Sequence, residues 1–235
     1  MTEVEFREEP SVRLIDWMPR GVPGDHRVVE AARVSSGTAP DERRDKGLLR
    51  MLLRDRHGSP FEHVVFTWLI ECPVFVSREF FRHRIASYNE TSSRYRELEP
   101  VFYMPPHDRP LVQKGRPGAY TFTEGSPNQQ AVTVVQHDKV ARAAWDAYQD
   151  MLARGVAREV ARNVLPLSIY TSFYVTMNLR SFLNFLSLRW AHPDSEVPTF
   201  PLFEIQQVAE FMEASVSHIV PTILDNFTEF GRRPV

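Results

Sequence analysis

Apolar positions change period several times along the chain. Val12-Arg13-Leu14-Ile15 alternates and predicts an edge strand. Asp25 is a helix-start residue, and Val28, Val29, Ala32 and Val34 follow at helical spacing. A helix capped by Asp25 is therefore expected through Val34, with those four residues inward. A second helix is predicted from Pro40 to Arg56, with Leu48, Leu49, Leu52 and Leu53 on its apolar face, ended by Gly58-Ser59-Pro60. His63 to Cys72 is β-branched and aromatic, which predicts a buried strand. Pro73 suits the first turn of a short helix to about Phe81. Arg84 to Arg94 is polar and aperiodic and reads as a loop, and Arg109 to Asn128, rich in Gly and Pro, as a surface excursion. A long helix is expected from Gln129 to Arg154 and a short one from Ala157 to Val164. Ile169 to Met177 reads as strand, and Asn178 to Arg189 and Glu204 to Ser217 as helices. Strands among unequal helices, without regular βαβ spacing, predict an α+β fold. The expected architecture is a mixed or antiparallel sheet flanked by helices, in a single domain over residues 1–235 with the 109–128 excursion on its surface.

Composition narrows the function classes. The chain has 235 residues, enough for one sizeable core, and is 43% hydrophobic and 25% charged, as ordinary globular proteins are. No run approaches the roughly 20 apolar residues of a membrane span. The N-terminal stretch is acidic, without the apolar core of a secretory signal, so a cytoplasmic protein is expected. The single cysteine, Cys72, excludes an intramolecular disulfide framework and a cysteine-rich zinc site. Without a secretory signal, the sequon Asn89-Glu90-Thr91 reads as coincidence. A net charge of -2 argues against a general nucleic-acid binder, so an anion site must be a local arginine cluster. Dinucleotide-fold, P-loop and nucleophile-elbow motifs are missing from the sequence.

Such a cluster lies in Ser77–Tyr95. Arg82, His83, Arg84 and Arg94 surround a run of Ser, Asn, Glu and Thr. Guanidinium groups pair with phosphate oxygens through forked hydrogen bonds, and hydroxyls and backbone N–H groups complete such a site. The competing reading is a solvated loop with ordinary salt bridges. Asn184 stands out on the apolar helix Asn178–Arg189, because a buried amide requires partners. His57 and His63 lack a third ligand at convincing spacing, so no metal is expected. The four tryptophans read as core or interface.

The order of residues decides between the readings. Arg82-His83-Arg84, then residues 85–91, then Ser92 resembles the signature of the flavin-dependent thymidylate synthases. The segment His57–His63 looks like that family's upstream flavin block, and Glu159–Pro166 and Asn178–Arg189 look like its downstream blocks. The resemblance covers most of residues 26–215. It implies an enzyme that binds FAD, reduces it with NADPH, and transfers a methylene from methylenetetrahydrofolate to C5 of dUMP without a cysteine nucleophile. Cys72, in an apolar strand, fits that chemistry. The resemblance also implies a homotetramer with each active site built from several subunits, so that Arg82, Arg162 and Arg189 meet without being close within one chain.

Residue by residue, the resemblance assigns Glu79, Phe80, Phe81, Arg82, Glu90, Thr91, Ser92, Ser93, Arg94, Arg162 and Arg189 to dUMP, with Ser92 and Arg94 on its phosphate. Glu79 stands where some members carry Gln. Ser59, Arg82, His83, Arg84, Glu90, Asn178, Leu179, Arg180 and Asn184 match flavin positions, and His57 and Tyr95 fall to the folate and nicotinamide face. Arg189 is the expected activating residue: a guanidinium beside the uracil favours ionisation at N3. Two other classes compete. A non-catalytic RNA or nucleotide module would bind through Arg82–Arg96, and a flavin reductase or oxidase would lack methyl transfer. Flavin retention discriminates the first, and product analysis with dUMP the second.

Overall fold

The structure, a computed structural model, describes residues 3–39, 41–116 and 118–235. Its strands are β1 (Glu5–Arg7), β2 (Ser11–Met18), β3 (Val65–Pro73), β4 (Ser87–Glu90), β5 (Val101–Tyr103), β6 (Val112–Arg116), β7 (Ala119–Thr123) and β8 (Tyr170–Asn178). Its helices are α1 (Gly24–Arg33), α2 (Glu42–Arg54), α3 (Val74–Phe80), α4 (Pro127–Ala153), α5 (Arg158–Ala161), α6 (Leu179–Arg189), α7 (Phe203–Val216) and α8 (Pro221–Glu229), with 3-10 turns at Ser59–His63 and Arg162–Val164. The chain divides into two compact units. The first comprises residues up to Ser11, Glu71–Phe80 and Glu90–Phe173; the second comprises Val12–Ile70, Phe81–Asn89 and Tyr174–Val235. Helices and sheets of both pairing senses give the expected α+β class.

The second unit holds the larger sheet, in the order β2-β3-β8-β4, which leaves β2 on the predicted edge. On β3 the residues Phe66, Trp68 and Ile70 alternate into the core, and the Trp68 ring packs 5.1 Å from that of Phe182 on α6. Trp68 donates its indole N–H to Ser215 Oγ at 2.9 Å, which satisfies its one polar atom. Helix α6 begins where Asn178 Oδ1 accepts the Ser181 N–H at 2.9 Å. Phe182, Leu183, Phe185 and Leu186 are fully buried along one face of α6, each worth about 1.5–3 kcal/mol of transfer free energy. That face anchors the helix, and Ser181, Asn184 and Leu188 are left on a cavity.

In the first unit, Ala141, Trp145 and Tyr148 of α4 pack with Phe102, Ala161 and Ile169. The start of α4 is a capping box between Ser126 and Gln129. β1 runs parallel to β5.

Several expectations changed. Asp25 does not cap its own helix. Its carboxylate accepts the N–H groups of Thr222 (2.9 Å) and Ile223 (3.3 Å), and so serves the start of α8, a helix absent from the prediction. Val34 lies past the end of α1 and is exposed instead of inward. The helix start expected at Pro40 falls outside the described residues; Asp41 caps α2 by accepting from Arg44 N–H. Pro73 closes β3 and does not open a helix. The polar stretch Arg84–Arg94 contains β4, whose edge position lets a strand be polar. The 109–128 excursion carries the antiparallel hairpin β6–β7, in which Gly115 has φ 97° and a Cβ would strike the Ala119 carbonyl.

Candidate active site

Within the second unit, α6 lines one side of a cavity of about 780 Å³ from its first turn to its last. Arg82, His83 and Arg84, which follow α3, line it as well, as does Glu62. Four guanidinium groups, Arg82, Arg84, Arg180 and Arg189, line this space with one acidic side chain, Glu62. Arg180 Nη1 donates to Glu62 Oε1 at 2.6 Å and Nε to the Val235 backbone oxygen at 3.0 Å. Gly58 makes room for it: a Cβ there would lie 2.5 Å from Arg180 Nε. At the far end of α6, Arg189 Nε donates to His83 Nε2 at 3.0 Å. Burial, and then the charge of Arg189, lower the His83 pKa to about 4, so its imidazole is neutral near pH 7. The Tyr88 hydroxyl donates to the His83 carbonyl at 2.7 Å, and burial raises its own pKa to about 12.

This arrangement fits an elongated anion. Eleven residues of α6 extend about 16 Å at 1.5 Å each. At its start, the Leu179 and Ser181 N–H groups are already bonded within the chain, and the Arg180 guanidinium, shared with Glu62 and Val235, is the charged donor that suits phosphate oxygens. At its end stand Leu188 and Arg189, and Ile85 and Met177 add apolar surface to the lining.

A second arginine group lies within the first unit. Glu90 Oε1 accepts from Thr171 Oγ1 at 2.8 Å, and the Thr91 N–H donates to the Ser172 carbonyl at 2.8 Å. The chain then turns at Ser92, whose carbonyl accepts from Tyr95 and Arg96 N–H. Arg162 Nη1 donates to Ser93 Oγ at 2.8 Å, and Arg94 Nε to Glu159 Oε2 at 3.0 Å. The Arg94 guanidinium also lies 5.9 Å from the centre of the exposed Tyr95 ring.

The expected site residues thus fall into groups. Arg82, His83, Arg84, Asn178, Arg180, Asn184 and Arg189 share the α6 cavity. Arg189 meets Arg82–Arg84 within one chain and needs no second copy for that. Ser59 and His57 are not on this cavity: they line another of about 560 Å³, with Arg33, Arg44 and Ser36. Leu179 is buried, and only its backbone is engaged, donating to the Val64 carbonyl at 2.8 Å. Phe81 packs edge-on to Tyr88 at 5.0 Å. Glu79 and Phe80 belong to α3 in the first unit, Phe80 fully buried against Phe173. Sequence reasoning missed Glu62, Ser181 and Val235. Glu62 was legible as the acidic member of His57–His63, and Ser181 as the residue three after a capping Asn; nothing signalled Val235. Cys72 is buried, and burial pushes its thiol well above the ordinary range, so it is no nucleophile. Among the described residues, no three His, Cys, Asp or Glu side chains gather as a metal site, and no helix is long and apolar enough to cross a membrane.

The family model described as thymidylate synthase complementing protein matches residues 13–222. The chain belongs to this family. Among relatives of the thymidylate synthase complementing family, it is 48% identical to a flavin-dependent thymidylate synthase of Streptomyces avermitilis, over 97% of this chain and 94% of that one. It is 46% identical to one from Tropheryma whipplei, over 88% of this chain and 89% of that one. A crystal structure of the UMP/dUMP methylase PolB from Streptomyces cacaoi, bound with 5-Br UMP, superposes with a TM-score of 0.91 at 40% identity, covering 99% of both chains.

Proposed function

We infer that this protein is a flavin-dependent thymidylate synthase that converts dUMP to dTMP, with FAD held along α6 and Arg189 as the activating residue. The observation that carries the reading is the cavity where the Arg82–Arg84 signature meets both ends of α6. Bound FAD, with NADPH as reductant, would supply the hydride chemistry, and methylenetetrahydrofolate the carbon. The chain's own residues do the rest. Arg180 and Asn178 would hold phosphate oxygens, and Arg82 and Arg84 would balance anionic charge. Arg189 would stabilise a uracil deprotonated at N3, which makes C5 nucleophilic without a thiol adding at C6. Ser92, Ser93, Arg94 and Arg162, with Glu79, Phe80, Phe81, Glu90 and Thr91, are proposed for dUMP, and His57 and Tyr95 for the folate and nicotinamide.

We further propose one family domain over the chain, supported by a family match that runs through both units. Its assembly as a homotetramer rests on the resemblance, and its cytoplasmic location on where its proposed substrates are made. Anaerobic turnover with dUMP, methylenetetrahydrofolate and NADPH tests the reading. The protein should purify yellow and form dTMP. A flavin-loaded protein that oxidises NADPH but makes no dTMP is a reductase, and a colourless one that fails to bind FAD is neither. A UMP arm tests the ribonucleotide, since the PolB neighbour is a UMP/dUMP methylase.

A further inference from the structure

His83 and Arg189 meet across 106 residues of sequence, and the chemistry of their bond is one-directional. A guanidinium keeps its charge and has no acceptor, so His83 Nε2 must present a lone pair to Arg189 Nε–H. The imidazole is then neutral, with its proton on Nδ1. Its place is fixed from two sides. The ring stands edge-on to Phe185 of α6, with centroids 4.9 Å apart and planes at 73°. Its backbone carbonyl takes the Tyr88 hydroxyl at 2.7 Å. The charged groups of the surrounding cavity are Arg82, Arg84, Arg180 and Arg189 with Glu62, and that cationic excess also favours the uncharged ring. A protonated ring would set two cations against each other at 3.0 Å and turn the guanidinium away.

Resting on the functional reading above, we propose that His83 is a positioning residue for Arg189: its Nε2 accepts the Arg189 Nε–H and sets the plane in which the guanidinium meets the uracil. Beyond Nε the guanidinium is rigid, so a bond there constrains the whole donor fork. Activation at N3 needs that plane, because a stabilising donor acts on the position where charge develops and loses most of its effect when misplaced.

Two variants separate the acceptor from the ring. His83→Phe keeps packing against Phe185 and removes the acceptor; His83→Gln restores an acceptor near the reach of Nε2. In single turnovers of flavin-loaded protein, His83→Phe should form dTMP about 10²-fold more slowly, and His83→Gln should recover roughly tenfold of that loss. Added to Arg189→Lys, His83→Phe should cost less than about threefold, since the geometry it protects is already gone. Equal impairment of the two variants, or losses that multiply with Arg189→Lys, would overturn the proposal. A readout independent of activity is the ¹⁵N spectrum of histidine-labelled wild type. It should show His83 protonated on Nδ1, a titration midpoint near 4, and an Nε2 resonance that moves in Arg189→Lys. A proton on Nε2, or a resonance blind to Arg189→Lys, overturns the bond even where a variant loses flavin. Wild-type protein that makes no dTMP sinks the functional reading instead, and the spectrum still decides the bond.

Discussion

The two arginine groups differ in how their charge is held. Around the α6 cavity, four guanidinium groups face one acidic side chain, and among the described residues Arg82 and Arg84 make no ion pair. In the first unit, Arg94 pairs with Glu159, Arg96 with Glu99, and Arg158 with Glu97. The cavity thus carries a standing positive potential that a polyanion can neutralise. The Ser92–Arg162 group is nearly balanced, and a phosphate arriving there must take Arg94 from Glu159. That exchange costs little, because exposed pairs contribute only about 0–1 kcal/mol. Standing potential suits a cofactor that stays bound, and exchangeable pairs suit a substrate that enters and leaves each cycle.

The largest effect is expected at Arg189. Arg189→Ala removes the charge and the fork, and dTMP formation in a single turnover should fall by about 10²–10³. Arg189→Lys keeps the charge and should fall less. Flavin binding and stopped-flow reduction by NADPH should survive both. A wild-type rate in Arg189→Ala assigns activation elsewhere, and loss of FAD makes its role structural.

Next comes the other end of α6. Arg180→Ala deletes a charge-assisted donor, and FAD affinity by calorimetry should weaken roughly 10- to 100-fold, matching about 1.5–3 kcal/mol. Gly58→Ala should weaken it in the same direction by displacing Arg180, whose Nε lies 2.5 Å from the new Cβ position. Unchanged affinity in both would move the phosphate-binding part of the cofactor away from Arg180.

Much of this site was legible because its motifs are local. Arg82-His83-Arg84 and Asn178–Arg189 are each short runs, and the second is the helix expected there. What sequence could not give were pairings across distance. His83 to Arg189 and Arg180 to Glu62 span 106 and 118 residues, and no periodicity encodes them. β1 and β5, three residues each, are too short to show an alternation. β4 was hidden because three of its four residues are exposed and it is short and polar, so it read as loop. Asp25 carried a true capping signal, but for α8, which lies far away in sequence.

A middle-sized effect should come from the first unit. Arg94→Ala should raise the KM for dUMP about tenfold, and Glu159→Gln should lower it two- to threefold, roughly, by freeing Arg94 at a stability change within about 0.5 kcal/mol. A higher KM in Glu159→Gln would mean that the pair holds Arg94 in place, and the group is then preorganised after all. Acidity offers a second handle. The folded His83 pKa, about 4, lies below its ordinary 6.5. The unfolded chain therefore takes up a proton that the native ring refuses, and stability falls as pH drops from 6.5 toward 4. His83→Phe should flatten that slope in Tm measured against pH.

The smallest effect is expected at Cys72, which belongs to neither group. Its side chain is fully buried at the end of β3, and burial pushes its thiol pKa upward, so almost no thiolate forms near neutral pH. A thymidylate synthase that relied on thiol addition at C6 would need the opposite: an exposed sulfur beside a cation. Cys72→Ala removes one small buried atom and should cost about 1 kcal/mol through looser packing. Melting temperature should fall by a few degrees, about what that cost implies for a chain of this size. Single-turnover dTMP formation in the folded, flavin-loaded variant should stay within about threefold of wild type, since no step assigned to Arg189 or His83 passes through sulfur. Abolished turnover in such a variant, with its flavin still reducible, would place the thiol in the chemistry. The arginine cavity would then be left to hold cofactor while activation of the pyrimidine happened by covalent addition.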